Sequence, residues 1–290
     1  MLKSVLAALA GLVLASCAQA EAQARPPVWT VRDADSEMLI FGSVHVLRPG
    51  LDWRPDALDA ALAKADDLWF ELPIDAVSEA RVSQLAASMG RLPEGETLSG
   101  LLSPEGAKRL EATAEHLGVS MAVLDALEPW FAEVVLASAE FMKAGADANS
   151  GVEKSIAATA PASAQRRAFE TPEEQIAIFD STPRPQQIAS LEESLREMKS
   201  NPNAYDELVG HWLAGDLTAL DEDVLAPLRK AAPGLYARLV TDRNARWIAE
   251  LKTRMDGAGS TVVVVGVGHL IGEDGLPAQL RALGYSVEGH

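Results

Sequence analysis

Two short apolar runs near opposite ends of the chain, residues 38–41 and 261–265, each lead into a glycine followed three residues later by a histidine. Four consecutive valines in the second run read as a strand buried on both faces, the kind found inside a sheet covered by helices. A glycine at the strand's end lets the backbone turn sharply and a ligand come close. Gly42-Ser43-Val44-His45 and Gly266-Val267-Gly268-His269 therefore each present an imidazole at the carboxyl edge of a sheet, where open α/β sheets keep their sites. The chain has five histidines in all. Two of them in one local setting, so far apart in sequence, point to a shared site in which they act as metal ligands or as an acid/base pair.

Composition narrows the partners. With 25 basic against 42 acidic residues and a formal net charge of -17, the chain lacks the Lys/Arg patches that phosphate backbones require, which excludes nucleic acid. The first twenty residues read as an export segment: Lys3, an apolar run over 5–15, then small residues, a stretch too short to span a bilayer. Its end has two readings. Leu14-Ala15-Ser16-Cys17 has the order of a bacterial lipobox, with Cys17 as the lipidated first residue of the mature chain, and Ala18-Gln19-Ala20 is an ordinary cleavage site. Cys17 is the one cysteine in the sequence, so no internal disulfide forms. Either reading places the protein in the periplasm or at the outer membrane of a bacterium, touching the membrane only through an N-terminal lipid.

The remainder, 26–290, reads as one α/β domain, α+β-like in its segregation of helices. Residues 28–32 and 38–46 form a hairpin across a polar turn, a helix follows over 51–65, and Asp67-Leu68-Trp69-Phe70-Glu71-Leu72 is a buried strand with Glu71 at its exit. If that strand neighbours the first Gly-x-x-His strand, Glu71 lands beside His45. From about 76 to 255 the chain is mostly helical, with capping signals at Ser103-Pro104-Glu105 and Thr171-Pro172-Glu173-Glu174 and a single short strand over 167–170. Helices are expected over 127–143, 186–199, 204–214, 217–228 and 235–255. A strand over 261–265, a helix over 276–283 and a strand over 285–288 close the chain as a β-α-β unit. The mixed central sheet is thus built from both termini around a large helical insertion.

Glu71 is the best third member for the two histidines, because two imidazoles and a carboxylate are a common set for a divalent metal that keeps a position open for water. Arg243 and Asn244 lie on a predicted helix, where the arginine fork could clamp a carboxylate or an oxyanion, or could sit on a solvated face with Trp247 in the core. Glu153 in Gly151-Val152-Glu153 and Glu170 before Thr171 could supply further carboxylates, although a helix start and a capping box explain them equally well. Ser43 stands beside His45 in a spacing unlike any nucleophile elbow, and His116 and His211 have no partner motif. Zinc-protease helix motifs, phosphate loops and cysteine nucleophiles are missing.

With these residues in view, the chain resembles the TraB/PrgY/GumN family, to which the animal Tiki Wnt-cleaving metalloproteases are related, and more remotely the erythromycin esterase and ChaN-like group. The resemblance runs from about residue 29 to 287. It rests on Phe41-Gly42-Ser43-Val44-His45-Val46-Leu47, Phe70-Glu71-Leu72-Pro73, Gly151-Val152-Glu153, Phe169-Glu170-Thr171, Arg243-Asn244 and Val265-Gly266-Val267-Gly268-His269-Leu270. It implies that His45, Glu71 and His269 meet in one pocket, with Arg243 and Asn244 in support, and the Tiki relatives imply hydrolysis of a peptide or protein substrate with a divalent metal ion. A metal-free hydrolase of the esterase type, and a lipoprotein that holds haem, iron or a peptide without turnover, are the rival expectations.

Overall fold

The computed structural model of the protein describes residues 25–290; the expected export segment and Cys17 lie outside the described residues. Strands β1 (Val28–Arg32), β2 (Ser36–Ser43), β3 (Asp67–Phe70), β4 (Gln165–Ala168), β5 (Gly259–Gly266) and β6 (Ser286–Gly289) form one sheet in the order β4-β3-β5-β2-β1-β6. β4, β3, β5 and β2 run parallel, whereas β1 is antiparallel to both β2 and β6, so the sheet is mixed and the fold is α/β. The β1–β2 hairpin turns on Asp33, whose carboxylate accepts from the backbone N–H groups of Asp35 and Ser36.

The valine run is β5, and it lies in the middle of the four parallel strands. Val262 and Val264 enter one core with Leu39, Phe41, Leu68, Phe70 and Trp212. Val263 and Val265 enter the other with Met38, Ile40, Trp69 and Trp247. Successive side chains of a strand point to opposite faces, and both faces here are covered, which is why the run tolerates no polar residue.

Between β3 and β5 the chain is mostly helical, as expected, yet it is not a block set apart from the sheet. It returns as β4, two residues earlier than the expected strand, and its last helix, Asp242–Met255, packs on the sheet through Trp247, Leu251 and Met255. Helices such as Pro104–Leu117, Pro129–Lys143 and Arg184–Ser200 build a separate core around Leu110, Leu136, Leu191 and Leu195. The capping expectations hold: Ser103 accepts from the Gly106 N–H, and Thr171 and Glu174 form a reciprocal capping box. The two long helices expected over 217–228 and 235–255 are each interrupted by a π turn, at Asp221–Leu225 and Ala237–Thr241. The first is closed by the Ala226 N–H on the Asp221 carbonyl, just before Pro227; the second directly precedes Arg243, and such turns often mark functional segments. Among the described residues no helix is long and apolar enough to cross a membrane.

Candidate active site

Each of the four parallel strands delivers one polar side chain just past its carboxyl end: His45 after β2, Glu71 after β3, Glu170 after β4 and His269 after β5. The carboxyl edge of a parallel sheet thus carries the site, as the glycine-terminated strands predict. β3 and β2 are not neighbours, so the condition that would have set Glu71 directly beside His45 is not met, although both line one cleft. β5 lies between them, and Glu71 crosses it by accepting the Gly266 N–H at 2.7 Å. On the other side the Glu170 N–H donates to the Glu71 carbonyl, extending the β3–β4 pairing and bringing two carboxylates together.

Arg243, from the helix Asp242–Met255, neutralises that pair. Its Nε donates to Glu170 Oε1 at 2.7 Å, and Nη2 donates to Glu170 Oε2 at 2.8 Å and to Glu71 Oε2 at 2.6 Å. Nη1 donates to His269 Nε2 at 2.9 Å and to the Leu239 carbonyl at 3.3 Å. A guanidinium has five N–H groups, and all five are engaged. Arg243 is 4 % exposed and stands over the Trp247 ring. The solvated-face alternative is therefore overturned, and so is the expectation that the fork meets an oxyanion, because no donor remains.

Asn244 fixes the chemistry of His269. Its Nδ2 donates to the backbone carbonyls of His269 and Asp274, groups that only accept, so its Oδ1 must face His269 Nδ1, 2.7 Å away. Nδ1 therefore carries the proton, and Nε2 is left as the acceptor that Arg243 uses. Burial pushes the His269 pKa down to about 3, against the pull of Glu71, so the ring is neutral at ordinary pH. An unfolded histidine binds a proton near 6.5, so unfolding takes one up anywhere between 6.5 and about 3, and stability must fall as pH falls through that window. Urea titrations should show a shallower decline with acid for His269→Gln than for the parent; equal slopes would contradict the buried neutral ring.

His45 is the exposed member. Its Nδ1 lies 2.8 Å from Glu153 Oε1, which also accepts from the Ser43 hydroxyl, and no described residue hydrogen-bonds its Nε2. A carboxylate only accepts, so Nδ1 is the protonated nitrogen and Nε2 faces the cleft. The attraction of Glu153 raises the imidazole pKa to about 9, with burial opposing; the side chain is 64 % exposed, and water weakens that attraction. For Glu71, burial favours the neutral acid, but Arg243 and then the two histidines outweigh it and hold the carboxyl well below its usual range.

His45, Glu71 and Glu153 line a cleft of about 430 Å³, walled by Leu72, Pro73, Ile74 and Val82. A slightly larger cavity, about 490 Å³, lies among the helices and contains none of these three groups; the chemistry places the site in the smaller one. Gly266 lies beside two of the cleft's residues, Glu71 and His45. A Cβ there would stand 3.2 Å from Glu71 Oε1 and 3.4 Å from His45 Nε2, in the space between carboxylate and imidazole. Gly266→Ala should therefore fold and yet, for the hydrolysis proposed below, lose about 10²-fold in turnover, the scale of a 1 Å misplacement; full activity would show that this space is not used.

His45, Glu71 and His269 converge, as expected, but their donors do not fit a shared divalent ion. The guanidinium holds the Nε2 lone pair of His269 and one Glu71 oxygen, and a second cation would sit directly against it. Among the described residues no group of three or more His, Cys, Asp or Glu side chains is placed to hold a metal ion. Glu153 and Glu170, which helix-start patterns explained equally well from sequence, belong to the site. Glu174 stays in its capping box, and Ser43 is committed to Glu153.

An α/β sheet whose parallel strand ends assemble two Gly-x-x-His histidines around a buried Glu-Arg-Glu cluster defines a class of site, and the sequence shows which class. The chain matches the TraB/PrgY/gumN family over residues 27–289 and belongs to it. It is similar to the "Uncharacterized protein YbaP" of Escherichia coli (strain K12), 26 % identical over 243 residues that span 83 % of this chain and 87 % of YbaP. The protein of the same description from Shigella flexneri is similar to the same extent. No solved structure matches the chain.

Proposed function

We propose that the protein is a hydrolase that cleaves a peptide or ester carbonyl with a water molecule activated by His45, without a resident metal ion. The observation that carries this reading is the His45–Glu153 pair: a proton-bearing Nδ1 on a buried carboxylate, with Nε2 open to a cleft whose far side is Glu71. Such a pair makes a base at Nε2 and stabilises the imidazolium formed when the water gives up its proton. Glu71 is too acidic to be that base and is suited to orient the water through Oε1. His45 then returns the proton to the leaving amine or alcohol.

The metal-dependent alternative is separated by chelation. Hydrolysis of a quenched peptide library or a panel of nitrophenyl esters should survive dialysis against EDTA and phenanthroline; loss of activity, restored by a divalent ion, would replace this reading with the metal-dependent one. The sequence of the first twenty residues supports an extracytoplasmic location. Mass spectrometry of the mature amino terminus should find an acylated Cys17, and an unmodified chain starting at Glu21 would remove the lipid anchor.

A further inference from the structure

Attack of water on a carbonyl leaves negative charge on the carbonyl oxygen, and a site that accelerates the step aims a donor at that oxygen. Arg243 has no free N–H, and the Gly266 N–H is held by Glu71. Among the described residues lining the cleft, Lys154 is the one Lys or Arg. It follows Glu153 on the helix Val152–Thr159, and its Nζ donates to Glu79 Oε2 at 3.1 Å across to the helix Ala76–Met89. Among the described residues that is its one hydrogen bond, which leaves two of the three ammonium N–H groups uncommitted. The pair is half open to solvent, with side chains 34 % and 50 % exposed, so it holds Lys154 loosely and can be exchanged at small cost.

Resting on the hydrolase reading above, we infer that Lys154 is a catalytic residue whose ammonium binds the oxyanion of the tetrahedral intermediate, on the same helix that orients the base. Water oxygen bonds to the carbonyl carbon as its proton passes to His45 Nε2, and the carbonyl π pair moves to the oxygen that Lys154 meets. Collapse re-forms the carbonyl, breaks the bond to the leaving nitrogen or oxygen, and returns the proton from His45 to it. The products are an acid and an amine or alcohol, and no co-reactant beyond water is consumed. The walls of Leu72, Pro73, Ile74 and Val82 would receive an apolar group beside the scissile carbonyl. The three carboxylates that line the cleft are already paired: Glu71 with Arg243, Glu153 with His45, and Glu79 with Lys154.

The test uses the full mature chain with Lys154→Met, Lys154→Arg and Lys108→Met. Lys154→Met should lower kcat about 10²-fold with KM changed little, the scale of one lost oxyanion donor, and Lys154→Arg should recover part of it. Lys108→Met, the same change at an exposed lysine outside the cleft, should keep kcat within about twofold. Calorimetry with a phosphonate monoester, an anionic tetrahedral mimic, should show at least about tenfold weaker binding to Lys154→Met than to the parent. Unchanged kcat in Lys154→Met, or an equal loss in Lys108→Met, would overturn the assignment. Should the parent hydrolyse neither the peptide library nor the nitrophenyl esters, the hydrolase reading fails by itself. Lys154 is then judged on the phosphonate alone, and equal binding by parent and Lys154→Met overturns it.

Discussion

Arg243→Met should cost about 3–5 kcal/mol of folding stability, because it leaves two buried carboxylates without their cation. Glu71 and Glu170 have side chains 10 % and 1 % exposed, and their backbones are hydrogen-bonded together, so neither can turn to water. Only Arg246, at the rim, still touches Glu170. The substitution also frees His269 Nε2 and removes the guanidinium that stands over Trp247. In the parent, the depressed Glu71 pKa adds stability that is present above the ordinary carboxylate value and lost as pH falls through the folded value. In the variant the orphaned carboxylates take up protons instead, so its deficit should shrink as pH falls. Urea denaturation across pH reads both effects. A loss under about 1 kcal/mol at neutral pH would mean that the cluster is solvated and not the buried unit described above.

His45→Ala should have a different profile, losing about 10²–10⁴-fold in kcat/KM, the contribution of a positioned base, with a smaller loss of stability than Arg243→Met, because one carboxylate rather than two loses its cation and Glu153 keeps the Ser43 hydroxyl. The ring is largely exposed, and its one anchor is Glu153. Glu153→Gln should lie between parent and His45→Ala, because the amide still accepts from Nδ1–H but no longer stabilises the imidazolium. Fluorescence-detected unfolding beside the kinetics separates the two outcomes: a His45→Ala protein that is folded and fully active would remove His45 from the chemistry.

Much of the sheet was legible because a strand covered on both faces is apolar along most of its length, and residues 38–41, 68–70 and 262–265 satisfy that by composition alone. The helix Ala204–Ala214 appears with the expected bounds. Strand order was not legible: β5 separates β3 from β2, and such pairing is decided by packing between segments remote in sequence. The histidines stood out by their repeated setting. Glu153 and Glu170 did not, since an acid at a helix start is the ordinary pattern of capping, and only the fold turns these two toward His45 and Arg243. Arg243 was obscured for a related reason. Periodicity places it on a helix but cannot say that the face it occupies meets two buried carboxylates, and it was this saturation of its donors that removed the oxyanion role expected for it.

The most direct measurement of the central claim is the pH dependence of kcat/KM for the parent and Glu153→Gln in the presence of chelator. If His45 held by Glu153 is the base, the parent's rate rises with an apparent pKa above 6.5 and no higher than about 9. In Glu153→Gln the limb then moves down toward 6.5, because an imidazole without its carboxylate gives up its proton at lower pH. A limb that stays in place in the variant, or a parent that is inactive until a divalent ion is restored, would contradict the account.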